Sequence, residues 1–478
     1  MIRDNYLDIS RITADPGVLK IFKIIRGYGG VVRFVGGAVR DALAGLKAAN
    51  IDLSTDLSPD ELAEACEEAG IRTAPIGLKI DTLGVAVGGT LLEISSLKKQ
   101  VKGGNGRTEV EFTDNWEEDA SRRDLTINAV YADENGNVFD YYNGIEDLEN
   151  GIIRFIGDAN RQIREDYVRI LRFFRFYSLF GKAPADAKAL KACRDNLNGL
   201  KNLPVERIRD ELVKILLTPK AAQTLKLMFE NDILGYWLTD PPCFDELEKL
   251  IRLEEKHGFA PDPVRRLFAL FRPDKTLAEN IAVRLKFPKN QKENLIRLAE
   301  AEGGDGDFSS AAKLKQAVYR LGKDVCLSLL LLRDSANRGG KINPDEAVRA
   351  VRNATVPVFP VSGKDIIRHG ITGNAKIGAA REYLEQVWVD SGFELTPRRT
   401  AGQNKTLRQA RRHKPAGPRG HRQPFKTRSP ASDRVTGLAA RTHGQRRRLN
   451  KKPRIIRGFR FYLQMLPTES LAYMAYSR

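Results

Sequence analysis

The sequence predicts an α+β protein, in which a small mixed β-sheet domain is followed by an all-helical region. Residues 31–53 are typical of a short apolar strand, a glycine pair, a short helix and a second strand. From about residue 182 to residue 395, amphipathic helices follow one another through short connections. The predicted domains are residues 1–150 with the sheet, 151–200 as a helical neck, 201–395 as a helical body and tail, and 396–478 as a C-terminal extension.

A glycine pair, Gly36-Gly37, directly follows the first strand. Without Cβ atoms, the backbone there can turn sharply and approach a phosphate closely. The first amides of the helix predicted for residues 38–44 would point at the same anion. Asp52 lies on the next strand, beside the same crevice. A phosphate cradle next to a carboxylate that can hold a metal is typical of a nucleotidyl-transfer site.

A hairpin is predicted for residues 84–97, around Gly88-Gly89. Within it, Glu93 alternates with Leu92 and Ile94, so its side chain belongs to the opposite face of the sheet. One interpretation is a solvent-facing glutamate on an ordinary strand. The other is a second acidic residue on the face that Asp52 uses.

Residues 114–129 form a charged block in which Asp119, Arg122 and Arg123 have helical i, i+3 and i+4 spacing and can brace one another. A salt-bridged surface helix is the default interpretation of such a run. The segment 160–180 predicts one further amphipathic helix, with an apolar face that runs from Ile163 to Tyr177.

Arg169 lies on the polar side of that predicted helix, and Asp166 lies at its margin, one turn away. Ordinary ion pairs would explain them. Alternatively, a carboxylate can accept from the exocyclic amine of cytosine or adenine while a guanidinium donates to a ring nitrogen or carbonyl. Such an Asp–Arg pair would select C and A without any nucleic-acid template.

These motifs together resemble the class II tRNA nucleotidyltransferase/poly(A) polymerase family, which includes the bacterial CCA-adding enzymes. The family pattern of a glycine pair followed by Val-Arg-Asp is present at Gly36-Gly37 and residues 39–41. Its hallmark R-R-D-x-T-I-N-A is present at residues 122–129, and its E-D-x-x-R motif at residues 165–169. The resemblance covers roughly residues 30–395.

The resemblance implies a polymerase β-like nucleotidyltransferase head that adds CCA to tRNA from CTP and ATP with Mg²⁺ as cofactor. It implies that the helical body binds tRNA. Metal and catalytic roles fall on Asp52, Glu93 and the residue at position 50. Nucleotide-binding roles fall on Gly36, Gly37, Arg40, Arg123, Asp124, Asn128, Asp166, Arg169 and Arg172.

The sequence departs from the family pattern at three motifs. Asn50 replaces the first aspartate of the Asp-x-Asp metal site, Ile80-Asp81 replaces His-Gly, and Lys98 replaces an arginine. An amide oxygen can bind Mg²⁺, but it removes one negative charge, so we expect weaker metal binding and a large loss of rate. Lysine keeps the charge of arginine and loses its planar fork. Two alternatives to CCA addition therefore stay open: a poly(A) polymerase of the same family, and a non-catalytic or degenerate tRNA-binding protein.

The net charge of +18 comes from one end of the chain. Residues 396–478 contain 22 Lys and Arg against 2 Asp and Glu, whereas the rest is nearly neutral. Because this Arg/Gly/Pro-rich segment lacks apolar periodicity, it is predicted to be disordered. It is either a polybasic arm that binds phosphates without sequence preference or an out-of-frame terminus, and the abrupt change after Leu395 favours the second.

Several other classes are excluded by what the sequence lacks. No apolar run approaches the roughly 20 residues of a membrane span, and the N-terminus has no signal-peptide core. No G-x-x-x-x-G-K-[ST] loop occurs, which weighs against a P-loop NTPase. The four cysteines form no C-x-x-C pair, so we expect reduced thiols and a cytoplasmic location. The sequence carries no signal for an oligomeric state.

Overall fold

The computed structural model describes residues 6–394 except 13–14, 49, 77–80, 103–107, 236, 305, 340–341 and 369. The predicted C-terminal extension and Ile80 therefore lie outside the described residues. The chain divides into two compact units, Met1–Gly306 with Leu327–Pro344, and Asp307–Cys326 with Asp345–Arg478. The domain boundaries near residues 150, 200 and 395 stay predictions.

A mixed sheet forms the amino-terminal part of the first unit and confirms the predicted α+β class. Its strand order is β3-β4-β5-β2-β1-β8-β9, in which β2 and β5 run parallel and the other neighbours antiparallel. Strands β6 and β7 form a separate ribbon. The strands are β1 Val32–Val35, β2 Asp52–Thr55, β3 Thr73–Pro75, β4 Thr82–Val87, β5 Thr90–Ser96, β6 Lys98–Lys102, β7 Thr108–Phe112, β8 Val130–Ala132 and β9 Val138–Asp140.

Some of the helices packed around this sheet begin with a capping side chain. The Asp15 side chain accepts the Gly17 amide at the start of α1, and Ser58 and Glu61 form a reciprocal capping box at α3. Helix α1 buries one apolar face, and its Phe22 ring lies 4.8 Å from the Phe34 ring of β1. The helices of this part are α1 Pro16–Gly27, α2 Gly37–Leu43, α3 Pro59–Glu68, α4 Trp116–Ser121 and α5 Gly144–Asn150.

The predicted hairpin is confirmed as β4 and β5. Its turn residues Gly88 and Gly89 both have positive φ, 59° and 86°. A two-residue turn with positive φ at both positions matches the twist of the paired strands, and glycine adopts it without steric cost.

Arg33 interrupts the apolar run of β1, and the tertiary structure explains why it is tolerated there. Its guanidinium carbon lies 4.1 Å from the centre of the Trp116 ring and 3.5 Å from that of Phe139. One of its amino groups donates to the Tyr141 hydroxyl at 3.1 Å. The cation is thus held by aromatic faces and one hydrogen bond.

The prediction of a single helix for residues 160–180 is wrong, because the structure has two helices there, α6 (Ala159–Glu165) and α7 (Val168–Phe180). Asp166 between them is extended, with φ −151° and ψ 106°, and its side chain accepts the amide of Val168 at 3.1 Å. This local hydrogen bond competes with the continuous helical ladder and starts the next helix. The helices that follow α5 in the first unit, up to Gly306, are α6 Ala159–Glu165, α7 Val168–Phe180, α8 Ala187–Asp195, α9 Val205–Leu216, α10 Ala221–Glu230, α11 Phe244–Lys256, α12 Pro263–Phe271, α13 Lys275–Arg284 and α14 Lys289–Gly303.

The second unit has a small apolar core of its own, centred on Trp388. The rings of Tyr319, Phe359 and Phe393 lie 5.0–5.5 Å from it. The last helices along the chain are α15 Ala311–Leu321, α16 Lys323–Ser335, α17 Pro344–Asn353, α18 Gly363–Arg368 and α19 Asn374–Asp390. Among the described residues no helix is both long and apolar enough to cross a bilayer. The cysteines are free thiols.

A buried carboxylate, Asp119 on α4, joins this short helix to the sheet. It accepts hydrogen bonds from the side chains of Arg122 and Arg123, from the Tyr131 hydroxyl on β8, and from the Lys98 amide at the start of β6. Burial alone would raise the pKa of this carboxyl, but the charges of the two arginines and the hydrogen bonds outweigh it and lower the pKa to about 2.

Replacing Asp119 with Asn should lower the free energy of unfolding by about 3 to 5 kcal/mol, because two arginines lose the charge that compensates them. Since the folded pKa lies below the unfolded one, the stabilisation is complete above pH 4 and is lost as the pH falls towards about 2. Urea unfolding at pH 7 and at pH 3, followed by circular dichroism, measures both effects.

The matched control is Glu117→Gln, which neutralises an exposed carboxylate on the same helix. Equal unfolding midpoints for the two variants would contradict the role assigned to Asp119.

Candidate active site

One cavity of about 480 Å³ collects residues from distant parts of the first unit. The turn between β1 and α2, the start of β2, the segment after α4, helix α7 and helix α9 all contribute to its wall. The predicted site residues that line it are Gly36, Gly37, Arg40, Asp52, Arg123, Asp124, Asn128, Asp166, Arg169 and Arg172. Asn50 and Glu93 are not among its lining residues.

The turn after β1 depends on glycine at its first position. Gly36 has φ 65° and ψ −123°, a backbone conformation that a residue with a Cβ adopts only with strain. Its neighbour Gly37 has an ordinary negative φ and begins α2. The sequence prediction of a sharp glycine turn directly after the strand is therefore borne out at Gly36.

A chain of hydrogen bonds crosses the floor of the cavity. Arg40 donates to the side chain of Asn128 at 2.6 Å, Asn128 donates to Asp124 at 3.0 Å, and Arg172 donates to the other oxygen of Asp124. Arg40 also donates to Asp41. Since Arg40 and Asn128 are 88 residues apart in sequence, the chain fixes the helix after the glycine turn against the segment after α4.

Burial and charge pairing act in opposite directions on the pKa of each titratable group in this hydrogen-bonded series. Burial lowers the pKa of Arg40, although Asp41 counteracts it. Burial alone would raise the pKa of Asp124, but the charge and hydrogen bond of Arg172, with hydrogen bonds from Asn128 and the Leu125 amide, lower it to about 2. Asp124 is therefore an acceptor-only carboxylate at neutral pH, and it holds its two neighbours in place.

Arg123 connects the same region to strand β2. Its guanidinium donates to Asp119 and Tyr131, and also to the hydroxyl of Ser54 at 3.2 Å. Ser54 and Asp52 are two residues apart on β2, so their side chains share one face of the sheet. The guanidinium of Arg123 is thus placed beside the strand that carries Asp52.

Asp52 and Glu93 are direct neighbours in the parallel register of β2 and β5. The sheet places both carboxylates on one face, as the second interpretation of Glu93 required. Asn50 is exposed and lies two residues before Asp52. Within the described part of the chain no three His, Cys, Asp or Glu residues are grouped as a metal site. Carboxylate oxygens from two neighbouring strands are the type of ligand that a hard divalent ion prefers.

Asp166 and Arg169 line the same cavity but are held by different partners. Arg169 donates to Glu165 at 3.0 Å, to Gln162, and to the Arg122 carbonyl at 2.9 Å. Asp166 accepts from the Val168 amide and from Arg207 on α9 at 2.8 Å. The predicted Asp–Arg combination is therefore two separately anchored groups rather than a contacting ion pair.

Sequence reasoning missed several lining residues, namely Arg122, Val168, Arg175, Phe176 and Arg207. Arg175 continues the three-residue spacing of Arg169 and Arg172, and that spacing could have revealed it. Phe176 lies 4.4 to 5.4 Å from the guanidinium carbons of Arg40, Arg172 and Arg175. Arg207 had no local signal, because it follows Asp166 by 41 residues.

Two of the departures from the family pattern contact each other. The side chains of Asp81 and Lys98 form an ion pair at the end of the hairpin, and each is less than a fifth exposed. Lys98 therefore pairs with Asp81, a residue that itself departs from the family pattern.

Comparison with family models identifies two segments. A model described as the poly A polymerase head domain matches residues 32–154, and one described as a probable RNA and SrmB-binding site of polymerase A matches residues 186–248.

Related proteins match most of the chain. The human mitochondrial CCA tRNA nucleotidyltransferase 1 is 33% identical over 381 residues, which cover 76% of this chain and 84% of the relative. The CCA-adding enzyme of Lactobacillus helveticus is 27% identical, with 79% and 94% covered. Among solved structures, the Bacillus stearothermophilus CCA-adding enzyme in complex with CTP superposes with a TM-score of 0.67 at 25% identity, covering 83% of this chain and 98% of that one. On this evidence, the chain belongs to the CCA tRNA nucleotidyltransferase family.

Proposed function

We propose that this protein adds C, C and A to the 3′ ends of tRNA from CTP and ATP, without a nucleic-acid template. The observation that carries the proposal is the convergence of the glycine turn, Asp52, the 122–129 block and the 165–172 segment on one cavity. The names of the relatives support it, because they are CCA-adding enzymes of vertebrates and bacteria.

In the proposed reaction, the 3′-hydroxyl oxygen of tRNA attacks the α-phosphorus of the nucleotide. The bond from this phosphorus to the β-phosphate oxygen breaks, and pyrophosphate leaves. Catalysis of this kind is mostly positioning and charge neutralisation. The Gly36-Gly37 turn and the guanidinium groups of Arg40, Arg123 and Arg172 would bind the triphosphate, because arginine is always charged and can donate to two oxygens at once.

Family members generally use a divalent metal, and we propose Mg²⁺ here. Asp52 and Glu93 would hold it, with Asn50 as a neutral oxygen donor. Mg²⁺ bound there would supply charge neutralisation and activation of the attacking hydroxyl. Since these three side chains provide two negative charges, we propose that metal affinity, rather than nucleotide affinity, is the weak point of this site.

We propose that Asp166 and Arg169 select the base. The Asp166 carboxylate would accept from the exocyclic amine of cytosine or adenine, and Arg169 would donate to the ring. Uracil has no exocyclic amine, and guanine carries its amine in a different edge pattern. Asp124 and Asn128 would shape the sugar and triphosphate site through the hydrogen bonds that already link them to Arg40 and Arg172.

The remaining assignments follow from the same proposal. Residues 1–150 would form the catalytic head and 151–200 the neck, while the helices of residues 201–395 would bind tRNA. A cytoplasmic location stays a prediction, and the vertebrate relatives are named as mitochondrial. The non-catalytic alternative rests on the departures at Asn50, Ile80-Asp81 and Lys98 and on the C-terminal extension, and among these Asn50 bears directly on the proposed metal site.

The first test is addition to tRNA transcripts that end before CCA, after CC, or with complete CCA. Each transcript is incubated with Mg²⁺ and one nucleoside triphosphate, and products are resolved on a gel. We expect C on the first transcript, A on the second and neither on the third. At limiting Mg²⁺, Asn50→Asp should act at least about tenfold faster, because it restores a charged metal ligand.

The matched control is Asn135→Asp, which adds the same charge at an exposed position of the sheet domain. No addition by either the native chain or Asn50→Asp would favour the tRNA-binding alternative. Long adenosine tracts on the complete transcript would favour a poly(A) polymerase.

A second test addresses the triphosphate site through Arg40→Lys. Lysine cannot contact Asn128 and Asp41 together, so we expect the KM for CTP and for ATP to rise by about tenfold alike. Steady-state kinetics with each nucleotide measures the change, and Arg26→Lys on the exposed surface is the control. A change in KM for only one nucleotide would show that Arg40 reads the base instead.

A further inference from the structure

We propose that Arg207 is a specificity-determining positioning residue, which holds the Asp166 carboxylate in the orientation that reads the nucleotide base. The inference rests on the proposed function of Asp166 and extends it to helix α9, which contributes Arg207 to the cavity wall.

The position of Asp166 in the chain makes an outside anchor necessary. Its extended backbone lies in the break between α6 and α7, so neither helix fixes its side chain through a helical rotamer. The rotation of a carboxylate about its last bond is broad and soft. The local contact, in which Oδ1 accepts the Val168 amide at 3.1 Å, fixes one oxygen only.

Arg207 supplies the second contact. Its Nη2 donates to Oδ2 of Asp166 at 2.8 Å, across 41 residues of sequence. The two hydrogen bonds to different oxygens define the plane of the carboxylate. A carboxylate offers about four lone-pair positions, so each oxygen can still accept a hydrogen bond from a base.

Arg169 is fixed by other groups, which are Glu165, Gln162 and the Arg122 carbonyl. The acceptor and the donor proposed to read the base therefore depend on separate anchors. Without Arg207, the Asp166 carboxylate could turn towards Arg169 or Arg172, which line the same cavity. The acceptor would then be lost to the base while the triphosphate-binding groups stayed in place.

The experiment measures equilibrium binding of CTP, ATP, UTP and GTP to the full chain by calorimetry, with Mg²⁺ and without RNA, so that no transfer occurs. For Arg207→Ala we expect the preference for CTP over UTP, and for ATP over GTP, to fall by about tenfold, as expected when a base-reading hydrogen bond is lost. Arg207→Lys should recover part of the preference, because it keeps the charge without the planar fork.

Arg209→Ala is the matched control. Arg209 lies on the same helix and is paired with Asp210 through two nitrogens, but it does not line the cavity. This variant should bind the four nucleotides as the native chain does. The melting temperature of each variant reports any general loss of structure, which would not change the ratio between nucleotides.

An unchanged preference in Arg207→Ala would overturn the inference. Equal weakening of all four nucleotides would also overturn it, because Arg207 would then act on the shared triphosphate or on the fold. Equal binding of all four by the native chain would remove the base-reading role of Asp166 as well. Selective binding without nucleotide addition would count against the proposed catalysis and leave the role of Arg207 intact.

Discussion

The geometry of the cavity depends on the hydrogen bonds and ion pairs of the buried Asp119 carboxylate. This carboxylate has no exposed surface, and it accepts from two arginines, a tyrosine and a backbone amide. One of those arginines, Arg123, extends from it to Ser54 on the strand of Asp52. The carboxylate thus fixes a cationic group at the cavity wall before any ligand is bound. Electrostatic groups that are already oriented need no reorganisation when charge develops in a reaction.

The same principle applies to the other arginines of the cavity. Arg40 is held by Asn128 and Asp41, Arg172 by Asp124, and Arg175 by Glu211. The ring of Phe176 lies within 5.4 Å of the guanidinium carbons of all three, a distance at which an aromatic face attracts a cation. Each guanidinium is thus paired with protein groups through part of its donors, and all three residues line the same cavity. Such pairing offsets the mutual repulsion of so many positive charges in a partly buried site.

The departures from the family pattern have different structural consequences. Asp81 and Lys98 pair with each other, so these two changes are mutually compensated at the end of the hairpin. Asn50 is neutral and lies two residues before Asp52. The proposed metal ligands lie on or just before strands β2 and β5, whereas the proposed base-reading residues lie at the break between α6 and α7 and on α7, so the two proposals concern different elements of the fold.

Local patterns in the sequence indicated the strand before the glycine pair, the strand that carries Asp52, the Gly88-Gly89 hairpin and the glycine turn at Gly36, because apolar alternation and turn-forming residues are local signals. The resemblance to the family indicated most of the residues that line the cavity. The tertiary structure alone decided that Arg33 lies between aromatic rings, that the helix breaks at Asp166, and that Arg207 anchors this residue. These features depend on pairs far apart in sequence, and the spacing of residues along the chain contains no information about which distant helix supplies a partner.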